Sequence, residues 1–385
     1  MFNKSRDLFP SANEQIYLAH CGVSPLYSKA AARATELLEE QMRFGGTHFM
    51  SFYGVTLDNF KAEAARLLHT QAENLAAVRN TSEALSMIAN GYPFEAGDEI
   101  ITFTHEYPSN FYPWSIQEEK GVVLRQIPNR PLEDIHRPEL VGSFSVEDVA
   151  RLITPRTRIV ALSHVQFTSG FAADLKSIGA LCEAHGIDFI VDAAQSLGSM
   201  PLHPETWNIS AIASAGWKWL LGPMGSGVFY TSPAFRDKLR PVLIGAESMT
   251  QGFDYLDHRW TPHHSARRFE YSTSSITHVA ALEVAMREVH NHYGTPVLFD
   301  ELLRLQDVFL QNLSNPGVKP VVFEAPHRSG ILSLVLPDAA AASKELASKG
   351  VYTTARGGFL RIAPHFYNTD EEMEQAANAL NALEI

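Results

Sequence analysis

The stretch 187–230 reads IDFIVDAAQSLGSMPLHPETWNISAIASAGWKWLLGPMGSGVFY, and it leaves few architectures open. Its first five residues, 187–191, form a short apolar run rich in β-branched residues after Gly186, which predicts a buried strand. Asp192 follows, at the strand end where an α/β sheet places its ligand groups. A second apolar run at 209–213 leads to Lys218, set between Trp217 and Trp219 with Gly216 before them. Gly222, Pro223, Gly225 and Gly227 then open into a last strand at 228–230. Upstream, strands are expected at 16–18, 75–78, 99–103, 122–127 and 158–162, and helices over 26–44, 58–69, 146–153 and 174–185. A polar, Pro-rich loop lies within 121–145. This strand–helix alternation predicts an α/β fold, a mostly parallel sheet with helices on both faces. Downstream, helices over 277–292 and 300–313 precede strands at 330–336 and 359–362 and helices at 339–349 and 370–383, an α+β pattern. The expected division is a large domain over 16–265. A small domain comprises 266–385 together with an N-terminal arm, 1–15.

Composition narrows the function classes. With 385 residues, 45% hydrophobic and 19% charged, the chain is an ordinary globular one. A net charge of −12 gives no footprint for nucleic acid or an anionic membrane. Two cysteines, Cys21 and Cys182, exclude a disulfide framework and a Cys-based metal site. His263 and His264 are adjacent and point different ways, so no metal is expected there either. The first fifteen residues lack an apolar signal core and no run reaches membrane-spanning length, so the cytoplasm is the expected location. The Gly222–Gly227 run opens no helix and is not a dinucleotide fingerprint, which argues against a nicotinamide dehydrogenase.

An acid at a strand end and a lysine in an aromatic setting suit pyridoxal 5'-phosphate (PLP) chemistry. A lysine holds PLP as a Schiff base, and a carboxylate beside the pyridine nitrogen keeps the ring an electron sink. Partial desolvation lowers the lysine pKa and makes it a better nucleophile. The plainer alternative is a surface lysine and a helix-capping aspartate.

The pattern Asp192-Ala-Ala-Gln195, then Gly216-Trp-Lys218-Trp-Leu-Leu-Gly222-Pro-Met-Gly225, resembles the class V aminotransferases of PLP fold type I. Cysteine desulfurases and isopenicillin N epimerase-like proteins belong to that family. The resemblance runs over most of the chain and implies a large PLP domain and a small α+β domain. It implies Lys218 and Asp192 as catalytic groups, with Trp217 and Ser214 beside the lysine and Gln195 reaching the ring's phenolic oxygen. Thr81 and Ser82, in the turn after the strand at 75–78, would hold the phosphate; an ordinary N-cap is the alternative there. Tyr107 would stack on the ring, or else is a core aromatic. Arg361 would clamp a substrate carboxylate and His20 would touch the substrate. Arg268-Phe-Glu270-Tyr-Ser-Thr273 resembles a segment that reaches the phosphate of a partner subunit, so a homodimer with composite sites is expected, with Thr273 as the donor.

The expected activity acts at the α-carbon of an amino acid, aminotransferase-like, with Lys218 as general base. Transamination, β-elimination and racemisation share that start, so a C–S lyase or epimerase stays open. A non-catalytic PLP-fold binding protein is the reading from another class. The family's desulfurases carry a cysteine just before the carboxylate arginine. Here 357–360 contains none, which argues against the persulfide route and against a catalytic role for either cysteine.

Overall fold

A computed structural model describes residues 1–130 and 142–384; part of the Pro-rich loop lies outside the described residues. The first strand, β1 (Ile16–Tyr17), stands apart from the main sheet. That sheet comprises β2 (Leu75–Val78), β3 (Glu99–Phe103), β4 (Val123–Ile127), β5 (Thr157–Ser163), β6 (Asp188–Asp192), β7 (Ala211–Ala215) and β8 (Gly227–Thr231). Their spatial order is β2-β8-β7-β6-β5-β3-β4. β8 runs antiparallel to both neighbours, and the other pairs are parallel.

Strands β5 to β8 are buried almost throughout, because helices cover both faces of such a sheet. Alternate residues feed two separate cores. Phe189, Val191 and Ile212 pack on one face with Leu67 and Phe60. Ile190, Ala213 and Phe229 pack on the other with Leu85 and Trp114. β7 starts two residues later than the apolar run at 209–213 suggests. Asn208 has positive φ (52°), so the backbone enters the strand only after that turn.

The small domain holds β9 (Lys319–Val321), β10 (Leu332–Val335), β11 (Val351–Tyr352), β12 (Thr354–Arg356) and β13 (Phe359–Ile362). Four of these form a sheet ordered β12-β13-β10-β9. β11 pairs parallel with β1. Packing crosses the expected domain boundary at both ends. Ala266 and Phe269 sit in one large-domain core, and Val279 and Leu282 of the helix Ile276–Ala285 sit in the other. That helix buries seven of its ten residues and so needs cover on more than one side. Conversely Leu18, just after β1, packs with Leu334 and Leu360 in the small-domain core. The helix expected from 58 begins at Gly46; its first turns are largely exposed and carry no amphipathic signal. Among the described residues no helix is long and apolar enough to cross a membrane.

Candidate active site

A cavity of about 500 Å³ opens at the carboxyl ends of β2, β3, β5, β6 and β7, facing the β12–β13 hairpin. This is where a parallel sheet offers loop residues without breaking strand pairing. Asp192, at the end of β6, is buried, and its Oδ1 accepts the backbone N–H of Ala194 at 2.9 Å. Burial raises its pKa, and the charge of Lys218 pulls it back. Lys218 shows the mirror image. Burial lowers its pKa, Asp192 opposes that, and Arg361 and Arg356 add to the lowering. Its Nζ stands 5.4 Å from the centre of the Tyr107 ring and makes no ion pair among the described residues.

The lysine loop is held by close packing. Gly222 N–H donates to the Gly216 carbonyl at 2.9 Å, closing the loop on itself. A Cβ at Gly216 or Gly222 would meet the Leu282 side chain at 2.8 or 2.6 Å, so both positions need glycine for the helix to approach. Trp217 lines the cavity, while Trp219 turns inward and donates from Nε1 to Gln195 Oε1 at 3.0 Å. Gln195 also donates from Nε2 to the Cys21 carbonyl at 2.8 Å, which fixes its amide at the cavity wall.

Across the cavity, Asn80 caps the helix Thr81–Gly91: its Oδ1 accepts the Glu83 N–H at 2.9 Å. The cap that Thr81 or Ser82 could have supplied is therefore filled by their neighbour, and neither hydroxyl caps the helix. Thr81 Oγ1 is buried with no hydrogen-bond partner among the described residues. Ser82 shares a 2.6 Å hydrogen bond with Ser109. Tyr107 lines the wall and packs edge-on against Phe167, with ring centres 5.1 Å apart. Arg361 is buried; its Nη1 donates to the Phe167 carbonyl at 2.7 Å and Nη2 to Thr354 Oγ1 at 2.9 Å. Its Nε has no partner, an orphaned charge-bearing donor beside the cavity.

Three expected residues are not brought here. His20 is fully buried: Nδ1 contacts the Ala363 carbonyl at 2.8 Å and Nε2 the Tyr367 hydroxyl at 2.7 Å. Both ring nitrogens are occupied and it is not among the residues that line the cavity. Ser214 points to the other face of β7 and donates to the Ala193 carbonyl at 3.3 Å. Ala215 takes the cavity side, as strand alternation requires. Thr273 lines a different cavity of about 480 Å³, with Arg79, Glu83 and Tyr271. Gln166 is also structural, donating to Glu106 Oε1 at 3.2 Å.

Sequence reasoning gave no role to three others. Cys21 and Arg356 line the cavity. Glu106 lies behind it, its Oε1 accepting the Ser163 N–H at 2.7 Å and its Oε2 accepting the Ser163 hydroxyl. Burial pushes Glu106 up to about 7, and Asp192 adds to that.

The profile of the family "Aminotransferase class-V" matches residues 27–375. The chain is 24% identical over 380 residues to an uncharacterized aminotransferase, YcbU, of Bacillus subtilis (strain 168), covering 99% of this chain and 97% of the relative. It is also 24% identical to a probable cysteine desulfurase of Methanothermobacter thermautotrophicus, covering 98% and 96%. Among solved structures, a complex of the cystine C-S lyase C-DES with its product cysteine persulfide superposes with a TM-score of 0.88 at 21% identity, covering 97% of this chain and 99% of that one. An apo cysteine desulfurase from Thermococcus onnurineus NA1 gives 0.86 at 21%, covering 99% and 98%. The α/β architecture of PLP fold type I is thus the fold this chain adopts.

Proposed function

Because the chain belongs to the class V aminotransferase family, we propose that it is a PLP-dependent enzyme acting at the α-carbon of an amino acid. The observation that carries this reading is the Lys218–Asp192 pair, two groups whose pKa values are both displaced by burial and which face one cavity without pairing. The residues present fit the cofactor. The buried, unpartnered Thr81 hydroxyl and the free N–H groups of the first helical turn suit its phosphate. Asp192 suits a protonated ring nitrogen, and Tyr107 supplies a face for stacking. When bound, PLP supplies an electron sink for charge developing at the α-carbon. Lys218 would hold the cofactor and, when free, would take the α-proton at Nζ; its lowered pKa suits both tasks. Arg361 orients the α-carboxylate with its unpartnered Nε and fixed guanidinium plane.

The β12–β13 turn is two glycines and carries no thiol, so the reading stays with amino transfer or C–S lysis without an enzyme persulfide. Cys21 does border the cavity, its Sγ 3.6 Å from Thr354 Oγ1, yet Cys21→Ser should keep the amino-acid chemistry. Thr273 lies outside this cavity and would serve a second copy of the chain, as a two-fold homodimer allows. Two free cysteines suit a reducing compartment such as the cytoplasm.

The test reduces purified protein with borohydride and maps the pyridoxyl label. A label on Lys218 supports the reading, and a label elsewhere, or none, overturns it. A monomer in sedimentation that retains full activity would remove the homodimer.

A further inference from the structure

The cavity lining contains one carboxylate, Asp192, against three basic side chains, Lys218, Arg356 and Arg361. The reading above uses Lys218 and Arg361 and leaves Arg356 without a partner. Its guanidinium makes no ion pair or hydrogen bond among the described residues, and it is exposed at the cavity mouth.

The hairpin fixes where Arg356 points. Thr354 is the register partner of Arg361, and opposed residues of an antiparallel pair share a face. Arg356 is two residues beyond Thr354 on β12 and so leaves the same face, one strand step away, about 7 Å along the backbone. The turn is Gly357-Gly358, with φ of 57° and 87°, a geometry open to glycine at both central positions. It is seated on the large domain: a Cβ at Gly357 would meet Thr168 Cγ2 at 2.8 Å. The two arginines therefore leave one face of the hairpin and line one cavity, Arg361 buried and Arg356 exposed at the mouth. The proposed phosphate site, at the helix Thr81–Gly91, depends on other donors and does not call on this charge.

We propose that Arg356 reads an anionic group at the far end of the substrate side chain. The preferred substrate is then an α-amino acid whose side chain ends, a few carbons out, in a carboxylate or another oxyanion such as a sulfinate. This rests on the amino-acid reading above, with Arg361 taking the α-carboxylate. A guanidinium at a cavity mouth forks onto an oxyanion and gives direction as well as charge.

The test uses the PLP-loaded protein and paired amino acids: aspartate with asparagine, glutamate with glutamine, cysteine sulfinate with cysteine. The readout is exchange of the α-proton in D₂O, which does not depend on the later fate of the substrate. The anionic member of a pair should exchange faster in kcat/KM by about tenfold or more, and the pair that shows it tells carboxylate from sulfinate. Arg356→Gln should bring the ratio within that pair to about one, Arg356→Lys should restore part of it, and Arg356→Glu should turn it against the anionic member. Equal handling within every pair overturns the proposal. So does an Arg356→Gln variant that weakens both members alike, which would place Arg356 on the α-carboxylate. Calorimetry with glutarate and butyrate separates this inference from the reading beneath it. Tighter glutarate binding that is lost in Arg356→Gln supports the paired guanidiniums even if no amino acid reacts. Equal binding of the two acids overturns them even if amino acids do react.

Discussion

Two lysines of this protein, Lys61 buried and Lys218 half-buried, stand in opposite states. Lys61, on the helix Gly46–Leu68, places its Nζ 2.7 Å from Glu270 Oε2, and Glu270 Oε1 accepts the Ala77 N–H of β2 at 3.0 Å. Burial raises the Glu270 pKa and Lys61 opposes it. That pair is in contact: helix, sheet and the segment around 270 are tied together. Lys218 and Asp192 feel each other's charge across a cavity yet do not meet. Desolvation alone therefore does not separate architecture from chemistry, since neither lysine lies open to water. The separating fact is whether the counter-charge is in contact or held back for something to enter between.

The comparison is broken most severely at Lys218. Lys218→Ala should cost at least about 10⁴-fold in turnover, since nucleophile and general base go together, while the melting temperature stays or rises. Single-turnover kinetics beside a thermal melt would show it, and a large loss of stability would put Lys218 in the same class as Lys61. Glu270→Ala should do the reverse. Stranding the Lys61 ammonium costs about 3–5 kcal/mol of folding stability, read by urea titration, with turnover per folded molecule preserved. Asp192→Asn should keep the fold and slow α-proton removal by about 10²–10³-fold, the size of other buried electrostatic partners; wild-type rates would remove its role. The smallest effect belongs to Glu106, an acid buried without a cation. Its folded pKa, about 7, lies above its usual 4.5, so the fold favours its neutral form. The resulting penalty is absent below about pH 4.5, grows as pH rises to about 7, and is then constant, up to roughly 3 kcal/mol. Glu106→Gln can keep the acceptor toward the Ser163 N–H and should flatten that slope in a pH series of unfolding curves. An unchanged slope would mean another group titrates there.

The residues at strand ends were legible because local pattern places them. An apolar run followed by Asp192, and a lysine among glycines and tryptophans, carry their meaning within a few residues. Which residue of 209–215 meets the cavity was not legible, because small residues stand on both faces of that run; Ala215 lines it, and Ser214 donates to the Ala193 carbonyl. The setting of His20 was not legible because its partners, Ala363 and Tyr367, are supplied by the far end of the chain. Thr273 sits where its neighbours in the chain put it, and a single subunit does not bring it to the lysine. Glu106 and Arg356 stand beside residues the sequence singled out, but Glu106 acquires its burial, and Arg356 its place over the cavity, only through tertiary packing.

The pairing of β1 with β11 has a consequence in time. Ile16 and Leu18 are bonded to Gly350 and Tyr352, and His20 is bonded to Ala363, 343 residues further on. The rim that carries Cys21 is thus made well before the partners that fix its place. At about 5–20 residues per second, it waits roughly 20 to 70 seconds for its partners to be made. The large sheet can assemble in that interval, but Lys218 faces a finished cavity only once the segment through Ala363 has been synthesised.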